Sequence, residues 1–544
     1  MPFLRDTPAG NQLVIDGRPG LLIGGQLHNS SASSPAYMEP VWERLAAMGI
    51  RTVIGAASWA QVELVEGTFD FSTVDAQIAE AGARGIRLVL IWFGAFKNAA
   101  STYAPSWVRA DVRRFPRAVV RTETASAFSY PGAMPKPVLT VFPPELLEAD
   151  RRAFVRLMRH LVAADPEHVV VMVQVQNEVG LLRDSRDRSD AAEDAWRSAV
   201  PAALLDYLQR NREQLRSELA ALWARQGHLR SGTWSEVFGD DWQADEVFMA
   251  WGFASYVGSL AHAGKAVKPL PMYANAWLGP QPGQPRAGNY PSGGPVGRVI
   301  DVWKAAAPAL DLVGPDIYVP DVKSVLADYA RLDNPLFVPE SQFRTGSLFW
   351  ALGHHRAIGF SVFGVDDARP GSRYGRACAL LNSMEDIVTA AQAEGRIEGI
   401  LLEEDETEQR FALGGYDVVA RNARALLGQM LLDAGVAEPP ALPPPASETE
   451  GAAVGPTPAD QRPFGLLIAE APGQFLLVGQ GVSLDFSCGA DVVEVDFVEE
   501  GRFESGRWVP RRVLNGDERL FLLPADDVGV VRIRLLHLSP EDDA

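Results

Sequence analysis

Two periodicities alternate along this chain. Apolar, β-branched runs that scarcely alternate with polar residues occupy 21–27, 51–58, 86–93, 169–176, 270–277, 310–318, 336–341 and 358–365. Runs of that kind read as strands covered on both faces, as in parallel sheets. Segments with a 3.6-residue stripe lie between them. The first has Ser34 as cap, Pro35 at its first position and Val41, Leu45 and Met48 on one face. The second begins with the capping-box-like Ser72-Thr73-Val74-Asp75 and runs to Gly85. In 144–165 the stripe is Leu147, Phe154, Leu157, Met158 and Leu161, and later helices are predicted at 295–307, 322–331, 345–355 and 384–393. Eight strand-helix units in this order predict the α/β class and, within it, a (β/α)₈ TIM barrel. A doubly wound sheet is the alternative, but no Gly-x-Gly-x-x-Gly or Gly-x-x-x-x-Gly-Lys-Ser/Thr follows any strand.

The pattern is interrupted twice. A stretch rich in aromatics and proline, 97–143, follows the third strand, and loops of that length are uncommon unless they build a site. After the fourth strand comes a helical insertion, strongest over 202–226, and then an aromatic-rich stretch over 234–256. From about residue 396 short strands take over: 409–413, 465–468, 475–478, 492–497 and 530–536, with turn chemistry at Gly501 and Asn515-Gly516. A Pro/Ala/Glu-rich linker spans 438–460, and a helical pattern over 418–434 has no evident place among these strands. The expected organisation is a catalytic barrel over 1–395 and a small C-terminal β-rich, sandwich-like domain over 396–544.

Composition narrows the partner. A formal charge of −19 on 544 residues argues against nucleic acid or an anionic membrane, which need clustered Lys and Arg. No apolar run approaches the roughly 20 residues of a membrane span. A neutral substrate fits better, and the sequence leaves self-association into a homo-oligomer open. The two cysteines, Cys378 and Cys488, lack disulfide or metal-ligand spacing. Met1 to Asp6 carry no apolar h-region and so no export signal, and cytoplasm and periplasm would both suit such a chain.

Chemistry concentrates where strands four and seven end. Val169-Val170-Val171-Met172-Val173-Gln174-Val175-Gln176-Asn177-Glu178 becomes polar only at its C-terminal end, the end at which a parallel barrel does its chemistry. Leu336-Phe337-Val338-Pro339-Glu340-Ser341 repeats the design. Two carboxylic acids facing each other across a glycosidic bond hydrolyse it without metal or organic cofactor, and none is expected. One must be protonated and the other ionised, so Glu178 is read as the acid raised by burial and a like charge, and Glu340 as the anion held by donors such as Tyr318. Asn177, beside Glu178, is a candidate for the sugar 2-hydroxyl, and Asn275 for another hydroxyl. Trp277, ending strand five, is the favoured stacking platform; Trp92 and Tyr103 are further candidates, while Trp59 and Trp350 compete with core roles. His28 ends strand one, where a site role and a core role are equally open. His354-His355 reads as structural. No His-Glu-x-x-His, Cys-x-x-Cys or Gly-x-Ser-x-Gly occurs, so zinc protease and α/β-hydrolase chemistry lack their motifs.

Gln176-Asn177-Glu178 and Pro339-Glu340-Ser341 resemble the acid/base and nucleophile motifs of the retaining glycosidases built on TIM barrels. Trp59-x-x-x-Glu63-x-x-x-Gly67-x-Phe69-Asp70-Phe71 resembles the second-strand segment of β-galactosidases in glycoside hydrolase families 35 and 42. Gly24-Gly25-Gln26-Leu27-His28-Asn29-Ser30-Ser31, Trp92-Phe93-Gly94-Ala95-Phe96-Lys97-Asn98 and Asn289-Tyr290-Pro291-Ser292-Gly293-Gly294-Pro295 are most similar to a bacterial branch of family 35. That branch carries a C-terminal β domain of unknown function, which Leu514-Asn515-Gly516-Asp517-Glu518 resembles. The resemblance implies a retaining, exo-acting β-galactosidase acting on a galactoside or galactose-capped oligosaccharide. One segment departs: where many family 35 enzymes carry a Glu-Trp-Gly-Gly-x-Pro type, this chain has Ile91 to Asn98. The alternatives are an α-L-arabinopyranosidase or β-D-fucosidase, an endo-acting glucanase or mannanase, and a carbohydrate-binding barrel without turnover.

Overall fold

The computed structural model describes residues 1–98, 102–121, 138–436, 447–449, 462–489, 491–504 and 506–538. Its first element is an antiparallel meander that hydrophobic patterning does not announce: β1 (Phe3–Thr7), β2 (Gly10–Ile15) and β3 (Arg18–Gly20). Leu13 and Ile15 of β2 join Leu22, Ile54, Val89, Val171, Leu312, Phe337 and Ile358 in one buried cluster inside the ring of barrel strands. Gln12 Nε2 donates to Thr389 O at 2.7 Å and ties the meander to the helix Glu385–Glu394.

The eight predicted strands all form. They are β4 (Leu22–Gln26), β5 (Thr52–Ser58), β6 (Arg87–Lys97), β7 (Val170–Asn177), β8 (Met272–Trp277), β9 (Leu312–Ile317), β10 (Phe337–Val338) with β11 (Glu340–Ser341), and β12 (Gly359–Phe363). All pair in parallel, in the order β10-β12-β4-β5-β6-β7-β8-β9-β11. Since β10 and β11 are two halves of one strand, this order closes on itself as an eight-stranded TIM barrel. The seventh strand divides at Pro339, where the register sets Glu340 against Asp316. Pro315 and Pro339 precede the two members of that pair, and neither has an N–H to give, so the ladder breaks between them.

The helices follow the apolar stripes with local differences. Ser34 caps Pro35–Ala47 by accepting from Tyr37 N. Ser72 is not a cap: it is the first residue of Ser72–Ala83, and Asp70 Oδ1 receives its N–H at 2.9 Å instead. The pattern over 202–226 forms two helices, Ala202–Arg210 and Ser217–Arg225. The aromatic stretch becomes Trp234–Phe238 and the long helix Trp242–Lys265. Of the predicted loop 97–143, residues 99–101 and 122–137 lie outside the described residues.

The C-terminal strands make two antiparallel sheets. β13 (Ile397–Leu401), β16 (Phe464–Ala471), β17 (Gln474–Gln480), β19 (Val492–Glu504), β20 (Arg507–Val513) and β21 (Gly529–Leu538) form the larger; β14 (Glu408–Leu413), β15 (Tyr416–Asn422) and β18 (Val482–Ser487) form the smaller. Alternation along the central strands assigns their faces. Leu467, Ala469, Phe475 and Leu477 pack with Val418, Ala420 and Leu484 of the smaller sheet. Leu466, Ile468, Leu476 and Val478 belong instead to the large core that includes Phe349 and Trp350 of the barrel helix Thr345–Gly353. The sandwich is therefore cemented to the barrel by apolar contact.

The unplaced pattern over 418–434 resolves as the end of β15 followed by the helix Ala423–Asp433. Gly501 is not in a turn. It lies within β19 at a bulge opposite Pro510, where a Cβ would come within 2.4 Å of the Trp508 ring. Asn515-Gly516 heads a short 3₁₀ turn rather than a hairpin. The linker over 438–460 lies outside the described residues except for 447–449.

Candidate active site

The carboxyl end of β7 is shaped by its neighbour. Trp92 of β6 pairs with Val175, and the next pairing is Lys97 with Asn177, so β6 advances five residues while β7 advances two. Gly94 lies in that bulge, and a Cβ there would sit 2.5 Å from Gln176 Nε2 and 2.8 Å from Asp150 Oδ1. Asp150, fully buried on the helix Pro144–Ala164, holds the distortion together. It accepts from Trp92 Nε1 at 2.7 Å, Gln176 Nε2 at 2.7 Å, Tyr256 Oη at 2.8 Å and Ala95 N at 3.2 Å. The bulge carries Lys97 to the position level with Asn177.

Glu178 follows β7 in a left-handed conformation, φ 44°, and Gln176 before it has φ 65°. Non-glycine residues adopt this only at a cost of roughly 1 kcal/mol or more, so the surroundings must enforce it. They do: Glu178 N donates to Asn275 Oδ1 at 2.9 Å, and Phe96 N donates to Gln176 Oε1 at 3.0 Å. The Glu178 side chain is thereby turned into a buried cluster. Lys97 Nζ lies 3.8 Å from its Oε2, and Asn177 Nδ2 donates to the same oxygen at 3.4 Å. Burial pushes the Glu178 carboxyl up to about 7; Lys97 pulls against this and the charge of Glu340 adds to it.

Glu340, on the far side of the cluster, is also buried but differently furnished. Gln26 Nε2 donates to its Oε2 at 3.0 Å and the Tyr318 hydroxyl to its Oε1 at 2.5 Å. A third carboxyl joins the two. Parallel register places Trp277, Asp316 and Glu340 level across β8, β9 and β11. Asp316 neighbours the Glu178 carboxyl and feels the charge of Glu340. Asn275 Nδ2 donates to its Oδ2 at 2.7 Å, whereas its Oδ1, closed off from solvent, meets no donor among the described residues. Burial first, then the two neighbouring acids, hold Asp316 well above the usual carboxylate range.

The other predicted site residues divide into framework and rim. Asn177 and Asn275 are buried and bonded into the protein: Gln174 Nε2 donates to both Oδ1 atoms, at 2.8 and 3.0 Å. Asn275 is thus a strut for Glu178 and Asp316. Tyr318 retains 43% exposure, and Trp277 ends β8 half-buried. His28 is on the rim, its Nε2 2.7 Å from Asp367 Oδ2 and its backbone N–H donated to Asp366 Oδ1. Tyr103 stacks on Phe93 with ring centroids 4.6 Å apart. Trp92 offers no surface to a ligand: it is fully buried against Trp59 and Phe154, its indole bound to Asp150. A large indole on a barrel strand packs outward on the helices as readily as it faces the mouth, and nothing in the sequence separates the two. Gln26, Lys97 and Asp316 belong to the cluster without having been singled out, although each is a polar residue near the carboxyl end of an apolar strand.

The groups among the described residues close enough to share a metal ion are Cys488, Asp491 and His537, with ligand atoms within 4.8 Å of one another. They lie at β18, β19 and β21 rather than at the barrel mouth, and His537 Nε2 is 2.7 Å from Asp491 Oδ2. Sequence spacing missed this grouping because its third member is distant in the chain. No helix among the described residues is long and apolar enough to cross a membrane.

Residues 34–238, which include β5 to β7 and Glu178, match the model of glycoside hydrolase family 42, described as beta-galactosidase. The matched segment, which carries strands two to four of the barrel, supports a domain of the glycoside hydrolase type. Residues 374–523 match a domain of unknown function, DUF5597, which takes in the last barrel helices and most of the sandwich. The family 42 match agrees with the likeness of the Trp59 to Phe71 segment to families 35 and 42, and supports the β-galactosidase type without the narrower likeness to family 35. Over 84 residues the chain is 36% identical to a beta-galactosidase of Xanthomonas manihotis, a match covering 15% of this chain and 14% of that protein's length. Among solved structures, beta-galactosidase from Bacillus circulans sp. alkalophilus is similar over 95% of this chain and 100% of its own, with TM-score 0.48 and 11% identity. Beta-galactosidase from Marinomonas ef1 is similar over 69% of this chain and 60% of its own, with TM-score 0.41 and 13% identity. Glu340 lies outside both segments matched by family models.

Proposed function

We propose that this glycoside hydrolase domain is a retaining, exo-acting β-galactosidase in which Glu178 is the acid/base and Glu340 the nucleophile. The observation that carries the reading is the unlike environment of two buried glutamates in one cluster, at the ends of strands four and seven. Glu178, raised to about 7, holds a proton that it can deliver to a glycosidic oxygen at neutral pH. Glu340 receives donors on both oxygens, an arrangement suited to a nucleophilic carboxylate aimed by Gln26 and Tyr318. In the first step Glu340 attacks the anomeric carbon as Glu178 protonates the leaving oxygen; in the second, Glu178 takes a proton from water, which displaces Glu340.

Exo action is supported by the rim beside Glu178. Leu181 bridges to Ser292 and Arg183 N donates to Gly288 O, so two segments join into one wall. Trp277 and Tyr318, the partly exposed rings at the ends of strands five and six, are proposed to meet the sugar, with His28 at a hydroxyl and Asn177, buried beneath, supporting Glu178 through its amide. We also assign catalysis to 1–395 and an accessory role to the β domain over 396–544, which β13 opens at Ile397. Incubation with nitrophenyl β-D-galactoside, α-L-arabinopyranoside and β-D-fucoside beside a β-glucan and a β-mannan tests the reading. Release of nitrophenol from the galactoside with first-formed β-galactose is the expected result. Preference for another glycoside would reassign the sugar, polymer cleavage would reassign the mode, and an intact panel would leave a binding barrel.

A further inference from the structure

Three buried carboxyl groups, Glu178, Asp316 and Glu340, share one cluster, and double displacement uses only two of them. Asp316 is 2% exposed and lies within β9, behind the residues at the mouth. One of its oxygens accepts from Asn275, the other is sealed from solvent without a donor among the described residues, and the Asp316 carboxyl neighbours that of Glu178, itself an acceptor. Two carboxylates cannot face each other in a buried contact unless a proton lies between them. We propose that Asp316 is held as a neutral carboxylic acid whose Oδ1–H donates to Glu178, so that it positions the acid/base without touching substrate.

The surroundings favour this placement of the proton. Glu340 approaches Asp316 from β11, Glu178 from the end of β7, Tyr318 from beyond β9, Tyr273 from β8 and Tyr329 from the helix Val322–Tyr329; Lys97 on β6 is a cation among the charged groups that act most strongly on Asp316. Asp316 therefore sees mostly acids and phenols, while Lys97 faces Glu178. With Glu340 ionised and Lys97 charged, neutral Glu178 and Asp316 leave this group of four balanced. When Glu178 gives its proton to the leaving oxygen, Glu340 loses its charge to the ester bond, and the hydrogen bond from Asp316 stabilises the new Glu178 carboxylate. The second step restores the Glu178 proton from water and the charge to Glu340. Asp316 keeps its proton throughout, so no proton is gained or lost overall.

This inference rests on the assignment of Glu178 as acid/base, but the proton on Asp316 can be read without turnover. Infrared difference spectra of wild type against Asp316→Asn should contain the C=O stretch of a buried carboxylic acid, constant between about pH 5 and 8 and absent from the variant. Absence of that band overturns the proposal whatever the enzyme hydrolyses; presence of the band in a protein inactive on every glycoside leaves it standing and sinks the catalytic reading instead. The pH profile adds a second readout. An amide at Asp316 can still donate to Glu178 and accept from Asn275, so Asp316→Asn should keep the alkaline limb of kcat/KM within about 0.3 units and retain activity within about tenfold. Asp316→Ala, which loses the donor, should move that limb up by about one unit. A limb that falls by a unit or more in Asp316→Asn would mean that a negative charge had been removed, and would overturn the proposal. So would a loss of kcat in Asp316→Ala with the limb unmoved, the signature of a merely structural role.

Discussion

Lys97 Nζ lies 3.8 Å from Glu178 Oε2, and the two side chains are only 6% and 11% exposed. An ammonium that close favours the ionised carboxyl and restrains the rise that burial imposes. Lys97→Met keeps the apolar stem and removes the charge. The alkaline limb of kcat/KM should then move up by about one unit, and breakdown of the glycosyl-enzyme, which needs ionised Glu178, should become rate-limiting at pH 7. Stopped-flow detection of a nitrophenol burst absent from wild type would register the change; a profile identical to wild type would show the lysine to be inert.

Azide separates the roles of the two glutamates. Glu340→Ala should lose nearly all activity with every leaving group, because no ester can form. Glu178→Ala should be impaired far more on alkyl and sugar leaving groups than on activated aryl ones. Azide should rescue it as the β-glycosyl azide, while Glu340→Ala with azide should give the α-anomer. NMR of the products reads the anomer, and exchanged assignments would exchange the two.

The raised carboxyl of Glu178 also links stability to pH. Its proton is held more tightly folded, at about 7, than unfolded, near 4.5. Between those values the native state binds more protons, so this contribution to stability is complete below about 4.5 and is lost as pH rises through about 7. Glu178→Gln, which cannot ionise, escapes the loss. Urea melts should give a stability difference in favour of the variant that grows across this window to at most about 3 kcal/mol and is flat above it. A difference independent of pH would place the Glu178 pKa outside the window.

Asp150 offers a test of the bulge that delivers Lys97. Asp150→Ala leaves the donors of Trp92, Ala95, Gln176 and Tyr256 without their common acceptor in a sealed site. The variant should lose on the order of 3 kcal/mol or more of stability. Asp150→Asn should lose less and retain the fold, but with kcat reduced on the order of tenfold, since Gln176 and the start of the Glu178 turn shift with it. Denaturant midpoints and steady-state rates on the same preparations check both; wild-type stability in Asp150→Ala would show that the bulge needs no anchor.

Much of this arrangement can be read from the chain, and the gaps have physical causes. All eight barrel strands are visible because strands buried on both faces have an unbroken apolar signature, and Glu178 and Glu340 stand out as acids at the ends of two of them. Trp92 misleads because an aromatic on such a strand has two faces to choose from. Lys97 is hidden by a register change that no local pattern encodes, and Asp316 by lying within a strand, where an acid reads as an oddity until its neighbours across the sheet are known. β1 to β3 escape notice because short, half-exposed strands lack a repeat long enough to see.

The break at Pro339 makes the seventh strand a clasp. Each half holds only two paired residues, β10 on β12 and β11 on β9, as few rungs as join β7 to β8 and fewer than in the other ladders of the ring. Glu340 is part of the fastening itself. Its carboxyl is brought against Gln26, from the first barrel strand, only when the last segments of the ring have met the first. Assembly of the two-glutamate centre is therefore a report on ring closure: a chain with every helix formed but the clasp open would have Glu178 in its turn and no counterpart facing it.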